Sequence, residues 1–592
     1  MAAHGYHGKT LDIDLTTGSF VSNVIDEEVL RHHIGGSGLG VRLLLDREAH
    51  RHEPLGLKST IGFIFSPLVG SPLTTSAKFA VVSRSPLTMR FNDSLASSRF
   101  AINGKRTGHD AIMITGACET PSIIVIDESE VSIQSAEAIW GMTIPDSEQW
   151  LLDTYGDDYS AAVIGPAGEN QVRFATISHD GRHAGRGGSG AILGSKNIKA
   201  ILVRGSQRCE WAEETGLVSY AKQLSKASFG PATAKYRELG TASNLLVFNR
   251  MNCLPTRNFT AGSIEGSESL SPQQLQLAHD KVQVSCAACT IGCTHIYGKQ
   301  SGTSGTRIEY ENIFALGPLC GITNQDTVIQ ASQLCDDFGM DTISVGGTIA
   351  FAMECAERGY LDDTSLRFGN DERLLQLIPQ IATRTEMGAL LANGSKRVAM
   401  EIGQDTIDFA PQVKGMEIPG YEPRALQTMA LGFAVGARGA DHNRSGAYEV
   451  DFSEQVDRKR ADITAAALAI ETEDKAAVID SLILCKFLRG VFDDLHAAAA
   501  DMLNLVTGWD INRDEIIESA KRIIDLKKQF NILAGWSPEE DTLPKRMLQT
   551  ALADDSDASL SEETLQMLVK AYNRCRGWTD DGFLKNTTVH EV

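Results

Sequence analysis

Three of the chain's eleven cysteines fall within eight residues, in VSCAACTIGCTH, as Cys286, Cys289 and Cys293. No other feature constrains the fold as tightly. The C-x2-C-x3-C spacing puts three sulfurs in one loop of small residues, where they can converge on a soft metal centre. Two kinds of centre fit the loop. An iron–sulfur cube needs four ligands, so a fourth must come from elsewhere or its corner stays open. The remaining thiols are Cys118, Cys209, Cys253, Cys320, Cys335, Cys355, Cys485 and Cys575. Zinc would take a Cys/His mixture, and His295 follows the triplet closely. The scatter of the other cysteines suits buried thiols, not a disulfide framework.

A second loop is rich in glycine. Residues 181–196 read GRHAGRGGSGAILGSK, and Gly185, Gly187 and Gly190 satisfy G-x-G-x-x-G. No clear helix of proper length follows, and no acidic residue sits about 20 residues on at a strand end, so the dinucleotide fingerprint is a weak match. Consecutive glycines still let backbone N–H groups surround an anion, and Arg182 and Arg186 add charge. A phosphate or diphosphate is the natural guest. A flexible turn between strands is the plainer alternative.

The 592 residues exceed one compact core. Short segments with β-branched residues, separated by Gly, Pro, Ser or Asp turns, predict strands at 10–15, 78–84, 110–116, 122–127 and 200–205. Helical periodicity takes over beyond, at Thr327–Phe338, Ser344–Arg358, Asp480–Ala499 and Asp514–Phe530. The expected architecture is α+β and multidomain. A β-rich domain at 1–207 precedes two mainly α-helical domains at 208–413 and 414–592. Lys and Arg total 55 against 76 Asp and Glu, a net charge of −21 that repels nucleic acid and anionic membranes. There is no run of 18 apolar residues and no apolar leader in MAAHGYHGKTLDIDL, so a cytoplasmic location is expected.

Three acidic segments stand out: CDDFGMDTISVGG, DSLILC and IEYENIFALG. An acid beside an apolar run is more often a helix cap or surface residue than a ligand. Together with GYHGKTLDIDLTTG, GPAGEN, the glycine loop, CAACTIGC, EPRALQTMALGFAVGARGADH, DTLPKR and RGWTDDG, they resemble the tungsten-containing aldehyde ferredoxin oxidoreductases. The resemblance covers nearly the whole chain, in the family's order.

That resemblance implies a β-rich domain cradling a tungsten bis-pterin, with four dithiolene sulfurs on the metal and no protein ligand. Acids in D-x-x-G-L-[CD] patterns bind the pterins. They correspond here to Asp336-x-x-Gly339-Met340-Asp341 and Asp480-x-x-Ile483-Leu484-Cys485. Ile for Gly at 483 should weaken the backbone part of the second site. A carboxylate can accept two N–H donors from a pterin edge at once. Cys485 becomes the fourth ligand of a [4Fe-4S] cluster with Cys286, Cys289 and Cys293. The glycine loop, from Arg182 through Ala184, Gly185, Arg186, Gly187 and Gly188, and Leu484 also fall to the cofactor. Lys78 stands where the family has a phosphate-contacting Arg. The family bridges its pterin phosphates with Mg²⁺ through an Asn and a backbone carbonyl, and Asn92, Asp93 or Ser94 would have to take that place.

The implied reaction oxidises an aldehyde to a carboxylic acid. Glu311 would act as general base and His442 as donor to the carbonyl oxygen. Electrons would leave through the cluster to a ferredoxin, or to small iron–sulfur and flavin subunits, with a homo-oligomer or hetero-complex as the assembly. Two rivals remain open. One is a related tungsten enzyme acting on another substrate, such as a cyclic acyl-CoA. The other is an electron-transfer or scaffold subunit that has lost the metal.

Overall fold

The computed structural model describes residues 3–128, 130–298 and 305–585. Its N-terminal part contains two six-stranded sheets. The first has β1 (Lys9–Asp14), β2 (Ser19–Val24), β3 (Ile61–Ile64), β4 (Lys78–Arg84), β5 (Phe91–Ser97) and β6 (Ala111–Thr115), in the order β2-β1-β6-β3-β4-β5. The second has β7 (Ser122–Asp127), β8 (Glu130–Ser135), β9 (Ser160–Val163), β10 (Ile177–His179), β11 (Arg182–Ala184) and β12 (Ile198–Arg204), in the order β11-β10-β9-β12-β7-β8. The five expected strands are β1, β4, β6, β7 and β12. Neighbours run antiparallel except β1–β6 and β7–β12.

Side chains alternate faces along a strand, and this sets the layers. Phe79 and Val81 of β4 join Phe63, Ile124 and Ile201 in a core between the two sheets. Ala80 and Val82 point the other way, into the large core shared with the helices. Lys78 lies on that helical face. Asp93 of β5 pairs with Val82, and Ser94 with Val81. Asp93 therefore faces the helices, while Asn92 and Ser94 face the second sheet. A slip of one residue would exchange them.

Beyond residue 214 the chain is mainly helical. The elements used below are α1 (Gly36–Asp46), α2 (Ser189–Ser195), α3 (Tyr310–Leu316), α4 (Gln325–Phe338), α5 (Thr342–Glu357), α6 (Thr464–Leu482), α7 (Leu495–Thr507) and α8 (Arg513–Leu533). A three-stranded sheet, β13 (Lys281–Val284), β14 (Thr294–Tyr297) and β15 (Thr306–Arg307), holds the cysteine triplet between its first two strands. Among the described residues, no helix is long and apolar enough to cross a membrane.

The helices expected at 327–338, 344–358 and 514–530 are α4, α5 and α8. The one expected over 480–499 does not form. α6 ends at Leu482, and α7 starts only at Leu495. Apolar periodicity on both sides hid the break, which has no Gly or Pro at the turn itself; Gly490 lies seven residues beyond Ile483. Ile483 makes the turn in the left-handed region, at φ 61° and ψ 45°. Gly339 closes α4 in the same way, at φ 77° and ψ 60°. Ile in place of Gly thus keeps the left-handed conformation of the turn. A left-handed L residue costs about 1–2 kcal/mol. Full burial of the Ile483 side chain offsets this, being worth about 1.5–3 kcal/mol.

Candidate functional site

The break after α6 carries Cys485 to the cysteine loop. Thr75 ties the two together. Its N–H donates to the Ala288 carbonyl at 2.5 Å, and its hydroxyl accepts from the Cys485 N–H at 3.1 Å. Thr75 is itself left-handed, at φ 68°, a strain typical of sites that need an over-determined backbone. Burial, then the neighbouring Cys485, raises the Cys289 thiol. Burial, Cys485, Glu309 and Cys286 push Cys293 up to about 12. Lys78 shares the site. Burial opposes its charge, but Cys485, Cys286, Cys289 and Cys293 outweigh that and raise it. Arg182 also faces Cys286 and Cys293.

Four thiols with two cations form a donor set that suits an iron–sulfur cluster. Bound metal would turn raised thiols into thiolate ligands. Among the described residues, no three His, Cys, Asp or Glu groups are grouped to hold one ion. His295, the other candidate ligand, keeps its buried Nδ1 without a hydrogen-bond partner. Its Nε2 lies 3.0 Å from the Arg237 carbonyl, and its ring packs against Gly240.

Beside the thiols lies a cavity of about 380 Å³. A larger surface cavity of about 470 Å³ near Asp525, Arg576 and Trp578 holds none of the candidate residues. The glycine loop borders the first cavity. Gly187 and Gly188 have φ of 86° and 80°. A Cβ on Gly187 would come within 2.0 Å of Asn92 Oδ1, and one on Gly188 within 2.1 Å of the Arg173 carbonyl. A Cβ on Gly185 would meet nothing within 4 Å, which leaves a cradle open for a guest. Gly188 leads directly into the seven-residue α2, a helix the sequence did not announce. Ala184 ends β11, buried.

Arg186 differs from expectation. Its guanidinium bonds Asp341 at 3.1 Å and the carbonyls of Ala440 and Glu417 at 2.7 and 2.6 Å. It is a strut, not a free cation. Asp341 caps α5, accepting from the Ile343 and Ser344 N–H groups at 3.3 Å and the Ser344 hydroxyl at 2.8 Å. The helix-cap reading of this acid therefore holds, although the residue also lines the cavity. Asp336, 3.1 Å from His183 Nε2, lines the same wall.

The second motif is deeper. The side chain of Asp480 is 1% exposed, 3.2 Å from Arg444 and 3.0 Å from Lys486. Neither of its oxygens has a hydrogen-bond partner. Leu484 is buried, and its N–H donates to the Ile479 carbonyl at 3.0 Å, locking the turn. Arg444 also reaches Asp93 at 2.7 Å, and Arg438 reaches Asp441 at 2.8 Å. Burial pushes Asp93 up, but Arg444, Lys527 and Arg438 outweigh it and hold the carboxyl far below its usual range. Asp93 is thus spent on the helical face. Ser94 donates to the Arg186 carbonyl at 2.7 Å. Only Asn92 of that trio keeps a buried, unpartnered carbonyl oxygen. Sequence reasoning missed Arg438, Arg444, Lys486 and Thr75. Two arginines close together in the segment GARGADHNR were the available signal.

Glu311 opens α3, and His442 opens the short helix His442–Ser445. Glu311 Oε1 lies 3.6 Å from His442 Nδ1, with side chains 19% and 11% exposed. Glu311 Oε2 accepts the Gly420 N–H at 3.0 Å. Burial raises Glu311 to about 8, despite the Gly420 N–H and Arg186. Burial lowers His442 to about 3, despite Asp441. Both are neutral at neutral pH. The Asn443 amide nitrogen sits 2.9 Å from His442 Nε2. As assigned, it donates there and leaves the ring proton on Nδ1, facing Glu311.

Two family models match the chain: "Aldehyde ferredoxin oxidoreductase, N-terminal domain" over residues 10–205, and "Aldehyde ferredoxin oxidoreductase, domains 2 & 3" over 218–592. The chain is similar to the tungsten-containing aldehyde ferredoxin oxidoreductase of Thermococcus kodakarensis, 34% identical across 100% of this chain and 99% of that one. It is 27% identical to the aliphatic sulfonate oxidoreductase, WOR-like subunit, of Pyrococcus furiosus, across 100% and 97%. Its fold is similar to the active site complex BamBC of benzoyl coenzyme A reductase, solved with 1,5-dienoyl-CoA. The TM-score is 0.83 over 98% of this chain and 96% of that chain, at 22% identity.

Proposed function

The chain belongs to the aldehyde ferredoxin oxidoreductase family, and from that premise we propose that it oxidises aldehydes to carboxylic acids at a tungsten bis-pterin centre. The balanced reaction is R–CHO + H2O → R–COOH + 2 H⁺ + 2 e⁻. The observation that carries this reading is the Glu311–His442 pair, set in the cavity that Asp336 and Asp341 wall.

The residues present suit the family's cofactors. Asp336, Asp341 and the Gly185–Gly188 cradle would hold one pterin, with Lys78 and Arg182 toward the cluster. Asp480, its oxygens ion-paired to Arg444 and Lys486, and Leu484 would hold the other. Arg444, Arg438 and Lys486, paired with Asp93, Asp441 and Asp480, would supply positive charge toward a phosphate. Asn92 Oδ1 is the side-chain oxygen available to a Mg²⁺. Cys286, Cys289, Cys293 and Cys485 would carry a [4Fe-4S] cluster. When bound, the tungsten centre supplies the two-electron chemistry.

The protein's own part is proton handling and orientation. Glu311, once deprotonated, takes a proton from water or the aldehyde hydrate. The His442 Nδ1–H donates to the carbonyl oxygen as negative charge develops there. Thr290, Ser285 and Ala288 of the cysteine loop are exposed. Electrons thus have a short way out to a ferredoxin, or to small iron–sulfur and flavin subunits. The test is oxidation of an aldehyde with a viologen dye by protein purified without oxygen, alongside metal and pterin analysis. One tungsten and two pterins per chain with turnover are expected. Metal without pterin, or loaded protein without turnover, would sink the reading.

A further inference from the structure

The cavity has two chemically different ends. At one, Asp336, Asp341, His183 and Arg186 meet the glycine loop. At the other, five rings line it among a few polar side chains: Tyr236, Tyr310, Tyr421, Tyr448 and Phe487. The Glu311–His442 pair stands where the two ends join. Tyr421 stacks on His442, with centroids 4.9 Å apart and planes at 29°. Tyr448 stacks on Tyr421 at 5.0 Å and 30°. Tyr236 and Phe487 form a second stack at 4.0 Å and 17°. The five lining rings come from five separate segments, so no single helix stripe explains their meeting.

Four polar side chains at this end, Arg489, Asn244, Thr241 and Asn312, are already engaged. Arg489 is held by the Tyr448 hydroxyl at 2.6 Å and by Glu449. Asn244 accepts from Lys235 at 2.8 Å, and Thr241 accepts the Tyr310 N–H at 3.0 Å. Asn312 is tied to the Glu309 N–H at 3.0 Å. The end therefore offers aromatic surface and no unpaired charge among these described lining groups. Stacked rings favour a further ring beyond the gain from buried area alone, and a charged tail would be left without a partner.

We infer that this aromatic end selects uncharged aldehydes bearing an aryl ring, with Tyr236, Tyr421, Tyr448 and Phe487 as the specificity-determining residues. The inference rests on the aldehyde-oxidising reading and narrows its substrate class. The aldehyde carbon reaches the Glu311–His442 pair while the ring lies against the tyrosines. Oxidation follows the balance given above, with two electrons passing to the carrier and two protons released.

Phenylacetaldehyde and acetaldehyde isolate the effect, because in both the carbonyl is attached to an sp³ carbon and they differ only by the ring. The tungsten-loaded enzyme with a viologen acceptor should show kcat/KM for phenylacetaldehyde higher by roughly tenfold or more, the scale of even one methylene group in an apolar pocket. The difference should lie in KM. Calorimetry with the products should agree, phenylacetate binding at least about tenfold tighter than acetate. In Tyr448→Leu and, as an independent variant, Tyr236→Leu, both preferences should shrink severalfold with tungsten and iron retained. Equal kcat/KM for the two aldehydes in the wild-type enzyme overturns this inference and leaves aldehyde oxidation standing. An unchanged preference in both variants overturns it as well. If neither aldehyde is oxidised by loaded protein, the underlying reading falls and this inference with it.

Discussion

His442 Nδ1 stands 3.6 Å from Glu311 Oε1, and neither atom has a hydrogen-bond partner. Two buried, unpaired polar atoms aimed at each other are costly unless a guest or a shared proton satisfies them. The pair is therefore poised for work and contributes little to stability. Its protonation states follow from burial, which drives the acid up and the imidazole down.

Glu311 can accept a proton only when ionised, and its carboxyl is pushed up to about 8. Turnover should therefore rise with pH and level off above about 8. Glu311→Gln should lose this limb and lower turnover about a hundredfold, the scale of a positioned general base. Tungsten and iron should stay, because Gln is nearly isosteric. Viologen-coupled rates normalised to tungsten, followed across pH, check this. A flat wild-type profile, or unchanged turnover in the variant, removes Glu311 from the reaction.

Cys485→Ala should strip most of the iron, since a cubane with an open corner is labile. Cys575→Ala is the control, at an exposed thiol far along the chain, and should keep it. Iron per chain and the reduced-state paramagnetic signal are the readouts. Full iron in Cys485→Ala would refute the four-thiol assignment.

Ile483→Gly sets two effects against each other. Glycine relieves the left-handed turn by about 1–2 kcal/mol. It also empties a fully buried side-chain position, which costs about 2–5 kcal/mol for comparable truncations. The cavity wins, and net destabilisation of about 1–3 kcal/mol is expected. A lower thermal inactivation temperature would show it. A more stable variant would mean that the turn is more strained than its dihedral angles imply.

Arg444 joins Asp93 and Asp480, at 2.7 and 3.2 Å. Arg444→Met leaves buried carboxylates short of a cation and should destabilise by about 3–5 kcal/mol. Asp93 retains Arg438 and Lys527, so adding Asp480→Asn should recover part of the loss. Denaturant unfolding of the single and double variants measures the coupling. Strictly additive losses would show that the two residues do not interact.

Much of the framework was legible because it is local. Short β-branched segments between turn residues located β1, β4, β6, β7 and β12. β3 is only four residues long, and β5 carries Asn92, Asp93 and Ser94, residue types depleted in strands or typical of turns. The cysteine loop and the turn at Gly339 could be read from spacing and from glycine's tolerance of positive φ. The turn at Ile483 could not, since nothing in the sequence marks a β-branched residue as left-handed.

Sequence by itself determined the three-thiol loop, the glycine cradle and the acids at two helix ends, since each depends on residues within one short segment. Tertiary structure decided the rest. It brought Cys485 to the triplet through Thr75, turned Asp93 toward Arg444 and Asn92 toward Gly187, and spent Arg186 on Asp341. It also set His442 against Glu311. The reason is physical: side-chain direction on a strand depends on register, and a charge's partner depends on which distant segments share its burial. Both are settled only when the sheets and helices pack.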